Sequence, residues 1–95
     1  MNISKNIDSI IDILRENKAI DILKIDVKKL TSTVDFMIIA SGTSTRHIRG
    51  LSEITIAEAK KNKLMSIGVE GQDGSDWILI DFGDFLVHLM LPKVR

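Results

Sequence analysis

The sequence predicts a single α/β domain with a mixed sheet of about five strands and helices packed on it. Amphipathic segments and short apolar runs follow each other in the order helix, two strands, helix, three strands. The chain has 95 residues, which suits one domain with its own core. The clearest local signal is the stretch Trp77–Arg95, where Gly83-Asp84 joins two apolar runs as the turn of a hairpin.

The first half of the chain predicts one helix and two paired strands. Isoleucine and leucine recur at helical spacing over about Ser4–Asn17, with charged residues away from that stripe. Ile20–Val27 is rich in β-branched residues and predicts the first strand. Val34–Ala40 is almost continuously apolar, which predicts a central second strand. The link between the two runs is short, so we expect them to pair antiparallel.

The middle of the chain predicts a second helix and a third strand. Ser44 or Thr45 is the predicted N-cap, and the helix runs to about Lys63. Gly50 lies inside this helix at a cost of about 1 kcal/mol relative to Ala, which indicates either close approach to the sheet or a local weakness. Met65–Glu70 predicts a third strand, parallel to the second if the usual right-handed crossover applies.

The hairpin has one dry face and one mixed face. Its register opposes Phe82 to Phe85, Asp81 to Leu86, Leu79 to His88 and Trp77 to Met90. One face is therefore entirely apolar and is predicted to be core: Ile78, Ile80, Phe82, Phe85, Val87, Leu89 and Leu91. The mixed face carries Trp77, Leu79, Asp81, Leu86, His88 and Met90. Trp77 is either an interface anchor or a core residue beneath a helix, and Asp81 and His88 are diagonal neighbours that could pair.

Composition excludes several classes of function. Thirteen basic and thirteen acidic residues cancel, which argues against a general nucleic-acid binder. Cysteine is absent, so disulfides, thiolate metal sites and thiol nucleophiles are excluded. No apolar run approaches the roughly 20 residues that span a membrane, and the N-terminus has no signal-peptide pattern. We expect a cytoplasmic protein without a membrane partner.

Catalysis is the alternative class of function. A Gly-Thr-Ser turn after a strand, with carboxylates at Asp81 and Asp84, is also typical of nucleotidyltransferases, which would bind a nucleotide at that turn. Asp84 lies in the hairpin turn, however, and no phosphate-binding lysine motif accompanies the Gly-Thr-Ser turn. Ser44, His88 and Asp81 lack a nucleophile elbow, and one His with one Asp is too few ligands for a metal. We therefore predict no catalytic residues, metal or cofactor.

Three blocks of sequence resemble the ribosomal silencing factor family, also called Iojap or DUF143. They are Val34–Ile48 (VDFMIIASGTSTRHI), Glu70-Gly71 and Trp77–His88 (WILIDFGDFLVH). The resemblance runs from about Ile7 to Arg95 in order and at the expected spacing, so it covers nearly the whole chain. It implies a nucleotidyltransferase-like fold without that chemistry, and one Iojap-like domain over residues 1–95.

The resemblance also implies a function. Such a protein binds large-subunit ribosomal protein number fourteen, blocks association of the two ribosomal subunits and represses translation under nutrient limitation. It is expected to be a homodimer when free. We expect Trp77, Asp81 and His88, with Met90, to form or border the docking surface. Arg46 and His47 are expected to add contacts to protein or ribosomal RNA.

The chain departs from the family pattern at two places. Family members usually continue beyond the position of Arg95 with an aromatic, acidic tail that ends near a Trp. This chain stops there, either because the tail is naturally absent or because the sequence is truncated, so contacts made by that tail are not carried over. Gly50 stands where the family more often has Ala, which is expected to weaken the helix rather than the function.

Overall fold

The computed structural model describes residues 3–95 as two helices and one five-stranded mixed sheet. The elements are α1 (Ile3–Glu16), β1 (Ile20–Asp26), β2 (Phe36–Ser41), α2 (Thr45–Lys61), β3 (Gly68–Glu70), β4 (Trp77–Asp81) and β5 (Phe85–Met90). The strands lie in the order β1-β2-β5-β4-β3. The predicted fold class is confirmed. Within the described residues, neither helix is long and apolar enough to cross a membrane.

Both helices form where the sequence predicts them. In α1, the buried residues Ile7, Ile10 and Leu14 recur every three or four positions and face the sheet. Helix α2 begins after Ser44, whose hydroxyl accepts a hydrogen bond from the backbone N–H of His47 at 3.0 Å. This contact satisfies one of the free donors at the helix N-terminus, as a cap residue does. The helix ends at Lys61, about two residues before the predicted end.

Over residues 3–95, the sheet consists of three antiparallel pairs and one parallel pair of strands. β1 pairs antiparallel with β2, as predicted. β2 then pairs in parallel with β5, so the second strand of the hairpin occupies the centre of the sheet. β3 runs in the same direction as β2, but it pairs with β4 at the far edge. It is also shorter than predicted, because Gly68 contributes no side chain to a packed sheet and the preceding Met65 and Ile67 are exposed.

The predicted hairpin register is confirmed at every pair. Trp77 lies opposite Met90, Leu79 opposite His88 and Asp81 opposite Leu86. At the turn, the backbone N–H of Phe82 donates to the carbonyl of Phe85 at 3.0 Å. The two rings stack with centroids 5.1 Å apart.

The core lies between the helices and one face of the sheet. The residues of the hairpin's apolar face are buried there, apart from the half-buried Leu91, together with α1 and α2 side chains in one cluster: Ile7, Ile10, Leu14, Ile48, Leu51, Ile78, Ile80, Phe82, Phe85, Val87 and Leu89. Each fully buried aliphatic side chain of this kind stabilises the fold by about 1.5–3 kcal/mol. Because α1 and α2 both belong to this cluster, the helices cover the same side of the sheet.

Two glycines near α2 have opposite roles. A Cβ atom at Gly50 would meet nothing within 4 Å, so this glycine is a local weakness of the helix and not a point of close approach. A Cβ atom at Gly42 would lie 2.6 Å from Cγ2 of Ile48. The tight contact is therefore at Gly42, in the turn that leads into the helix.

These environments predict opposite effects of the same substitution. Gly50→Ala is expected to raise the free energy of unfolding by about 0.5–1 kcal/mol, because Ala loses less conformational entropy in a helix. Gly42→Ala is the matched control and is expected to lower it by about 1–3 kcal/mol through overpacking. Urea denaturation of both variants measures the two changes. A destabilised Gly50→Ala variant would contradict the open environment of that site.

Candidate functional site

The sheet face opposite the helices is the candidate site. We call it the open face, because α1 and α2 pack only on the other side. The strand pairings place these residues on it: Leu23, Ile25, Met37, Ile39, Leu86, His88, Met90, Trp77, Leu79, Asp81, Gly68 and Glu70. Leu23 and Trp77 are 49% and 50% exposed. Exposed apolar patches of this kind mark interaction sites.

Trp77 points outward and is held in place by two neighbours. Its indole Nε1–H donates to Nδ1 of His88 at 3.0 Å, with the ring centroids 5.7 Å apart. The Ser75 hydroxyl bonds to both the backbone N–H and the carbonyl of Trp77. Gly71 adopts φ +91°, and a Cβ atom there would overlap the Trp77 carbonyl, so the loop before β4 requires glycine. Trp77 is thus a surface residue and not a core residue beneath a helix.

The bond to Trp77 fixes the protonation state of His88. An indole N–H can only donate, so Nδ1 must be the acceptor and Nε2 carries the proton. Nε2 is buried and has no hydrogen-bond partner among the described residues. Burial also lowers the pKa of His88 below its usual value of 6.5. His88 is therefore neutral near pH 7.

Asp81 and His88, which as diagonal neighbours could pair, do not bond to each other. One carboxylate oxygen of Asp81 accepts from the backbone N–H of Gly83 at 2.8 Å, within the hairpin turn. His88 instead bonds to Trp77, which is its diagonal neighbour on the other side of Leu79. Both residues still lie on the open face, together with Trp77.

The other predicted site residues are placed differently. Met90 also belongs to the open face, but it is only 7% exposed and offers little surface to a partner. Arg46 is exposed in the helical layer, beside a shallow groove between α1 and α2. His47 joins that layer: Nδ1 accepts from the backbone N–H of Thr43 at 2.9 Å, and Nε2 lies 3.1 Å from the carbonyl of Asn17. The structure does not bring Arg46 or His47 onto the open face.

The open face also contains residues that were not predicted as site residues. Glu70 is exposed and lines a depression beside Trp77 and Leu79. Its place depends on the pairing of β3 with β4, which the sequence does not specify. Ile39 lies on the strand whose almost continuous apolar character predicted a central position, and Leu23 lies on the first strand, for which no exposed face was predicted. In the sequence, this surface is indicated only by the alternation of apolar and mixed positions along the two strands of the hairpin.

The geometry does not assemble the alternative nucleotide site. The Gly42–Thr45 turn follows the end of β2, where Ser41 lies beside Met90. Asp81 lies opposite Leu86, four residues back along β5, which is about 13 Å at the rise of a strand. Residues 3–95 contain no group of three or more His, Asp or Glu side chains that could hold a metal ion.

These features define a small two-layer α/β domain with one uncovered, largely apolar sheet face. The chain belongs to the family described as ribosomal silencing factor during starvation, which it matches over residues 1–95. It is 39% identical over 85 residues to ribosomal silencing factor RsfS of Chromobacterium violaceum, which covers 90% of this chain and 70% of that protein. It is 38% identical over 93 residues to mitochondrial assembly of ribosomal large subunit protein 1 of Mus musculus.

Solved structures share the fold of this chain. A crystal structure of a Chromobacterium violaceum protein superimposes with a TM-score of 0.96 at 37% identity, covering 100% of this chain and 79% of that one. A Bacillus halodurans structure at 22% identity, with a TM-score of 0.88, shares the fold over 97% of this chain and 86% of that chain. The similarity to the mouse protein covers 95% of this chain but only 41% of the mouse protein, so the chain spans less than half of that protein's length.

The buried, neutral His88 predicts that stability falls in mild acid. Its pKa is lower in the folded state than in the unfolded state, so the unfolded chain binds more protons below about pH 6.5. Stability contributed by His88 is therefore present above that pH and is lost as the pH falls towards the lower folded pKa. Protonation would also turn Nδ1 into a donor and break the bond to Trp77.

The test compares urea denaturation of the wild-type chain and His88→Gln at about pH 7.5 and 5.5. The stability advantage of the wild type over the variant is expected to shrink at the lower pH. Groups that titrate equally in both proteins cancel in the comparison. Parallel pH curves would show that burial does not shift the titration of His88.

Proposed function

We propose that this chain binds large-subunit ribosomal protein number fourteen through its open face and thereby blocks association of the two ribosomal subunits. The result is repression of translation under nutrient limitation. Membership of the ribosomal silencing factor family supports the general role. The observation that carries the proposed docking surface is the half-exposed Trp77, fixed by His88 on an uncovered sheet face.

The open face has the composition of a docking surface. Large aromatic and aliphatic side chains supply most of the free energy at protein interfaces, and polar groups around them set the register. Trp77 and Leu79 lie side by side with Leu86 and Ile39 across three neighbouring strands. The bond between Trp77 and His88 orients the indole before binding, so less side-chain entropy is lost on docking.

Steric exclusion is the proposed mechanism of silencing. The domain measures 33 × 30 × 21 Å. If the open face docks on the large subunit, the helical layer points away from it, into the space that the small subunit would occupy. A body of these dimensions at that position prevents close contact of the subunits without any chemical reaction.

Two further contacts belong to the same proposal. When no ribosome is available, a second copy of the chain is the proposed partner, giving a homodimer in the cytoplasm. Arg46, in the first turn of α2, has no ion-pair or hydrogen-bond partner among the described residues, and it is a proposed contact to ribosomal RNA beside the docked domain, not beneath the open face. His47 supports that region by tying α2 to the end of α1.

Replacing Trp77 by Ala tests the docking surface. The variant is expected to bind large subunits at least about thirtyfold more weakly, which corresponds to the loss of an interface residue worth about 2 kcal/mol. The fold is expected to persist, because the side chain is half-exposed. Co-sedimentation with purified large subunits measures binding, and sucrose gradients with added small subunits measure inhibition of association.

Ile54→Ala is the matched control, since Ile54 is also an exposed apolar side chain but lies on α2. It is expected to bind and to inhibit like the wild type. Circular dichroism verifies that both variants are folded. Wild-type binding by a folded Trp77→Ala variant would rule out the open face as the docking surface. Failure of the wild-type chain to bind large subunits would overturn the proposed function itself.

A further inference from the structure

The edge of the open face contains a notch between β3 and β4. Gly68 lies opposite Asp81, and Glu70 lies opposite Leu79. All four residues line the same depression. Gly68 has no side chain, and a Cβ atom there would meet nothing within 4 Å, so the space above it is empty of protein atoms. The notch therefore has an apolar wall, Leu79, and two carboxylates at diagonal positions of one face.

Both carboxylates have unused capacity. Glu70 is exposed and has no ion-pair or hydrogen-bond partner among the described residues. Asp81 uses one oxygen to accept from Gly83, and its other oxygen has no partner among the described residues.

The arginine that reaches the open face, Arg95, donates to the Ser41 hydroxyl and the Asp21 carbonyl. Ser41 lies beside Met90, at the other end of β5 from the notch, so neither carboxylate is paired with this cation. The charge of this edge is therefore complementary to a basic partner.

We propose that the notch receives a lysine or arginine side chain of the protein that docks on the open face. This inference rests on the proposed function and specifies one feature of the partner, a basic side chain that enters the notch. The aliphatic part of the incoming side chain lies along Leu79, and its cation lies between Glu70 and Asp81. Long basic side chains bind in this way, with the stem on apolar surface and the charge in water or on a carboxylate.

The alternative occupant, a metal ion, is disfavoured by the number of ligands. Two carboxylates are too few for a closed metal site, and the described residues contain no group of three or more possible ligands. One oxygen of Asp81 is also already engaged by Gly83. An ammonium or guanidinium group carries several N–H donors on a long side chain, so it can contact both carboxylates without bringing them together.

The test uses purified large-subunit ribosomal protein number fourteen as the probe and measures its Kd by isothermal titration calorimetry. The double variant Glu70→Gln with Asp81→Asn keeps hydrogen-bond acceptors at both positions and removes both charges. It is expected to bind about tenfold more weakly at about 50 mM KCl. The difference from wild type is expected to shrink at about 500 mM KCl, because salt screens exposed charges.

The matched control is Asp8→Asn with Glu53→Gln, which removes two carboxylates from the helical layer and gives the same net charge. It is expected to retain wild-type affinity and salt dependence. Gly68→Val provides a second test, because it fills the notch at a strand position where valine is favourable. We expect its melting temperature to be at least that of wild type and its binding to weaken.

The outcomes separate the two proposals. If the wild-type chain binds the probe and the double variant binds equally well at low salt, the notch does not receive a basic side chain. Equal losses in the double variant and in the helical control would also overturn it, since the effect would then be one of net charge. If the wild-type chain does not bind the ribosomal protein, the proposed function is wrong, and so is the proposal that a basic side chain of that protein enters the notch.

Discussion

The parallel pairing of β2 with β5 is the contact on which the rest of the structure depends. It places the second strand of the hairpin at the centre of the sheet, where its alternation decides what faces the helices and what faces outward. Val87 and Leu89 pack against α1 and α2, whereas Leu86 and His88 lie on the open face. Because side chains alternate with a period of two, a slip of one residue would move His88 into the core and Val87 to the surface. The same register therefore specifies both the core and the candidate site.

One-sided coverage by the helices is the second constraint. A sheet with helices on only one side leaves its other face to water or to a partner. Here that face retains apolar residues and a neutral histidine in place of the polar side chains that a solvated face normally carries. The unpaired Nε2–H of His88 lowers the free energy of unfolding by about 1–3 kcal/mol. The bond that orients Trp77 requires this tautomer, because Nδ1 must accept from the indole and the proton is then on Nε2. The open face thus keeps an oriented, half-exposed indole at some expense to stability.

The sequence could predict the elements but not the coverage of each face. The register of the hairpin follows from two apolar runs around Gly83-Asp84, since a tight turn admits few alignments. The position of β3 did not follow, because a three-residue edge strand with Gly68 has almost no pattern of its own. Whether Trp77 is buried depends on which face of the sheet the helices cover. The packing of helices on the sheet decides this, and the local sequence pattern does not specify it. His47 was expected at a binding surface, but its ring joins two helix ends, a role that requires Asn17 and Thr43 to be adjacent in space.

If the open face is the docking surface proposed above, its centre and its edge have different tasks. At the centre, Trp77 and Leu79 offer apolar area, whose contribution to binding would be nearly independent of salt. At the edge, Glu70 and Asp81 are solvated carboxylates, whose contribution would fall as ionic strength rises. Charges at a rim mainly govern association rate and choice of partner, whereas buried aromatic groups govern how long the complex lasts. Because its 13 basic and 13 acidic residues cancel, the chain has no net positive charge that would attract phosphate in general. Under the proposed function, selection of a basic partner therefore depends on these two carboxylates and not on the charge of the whole chain.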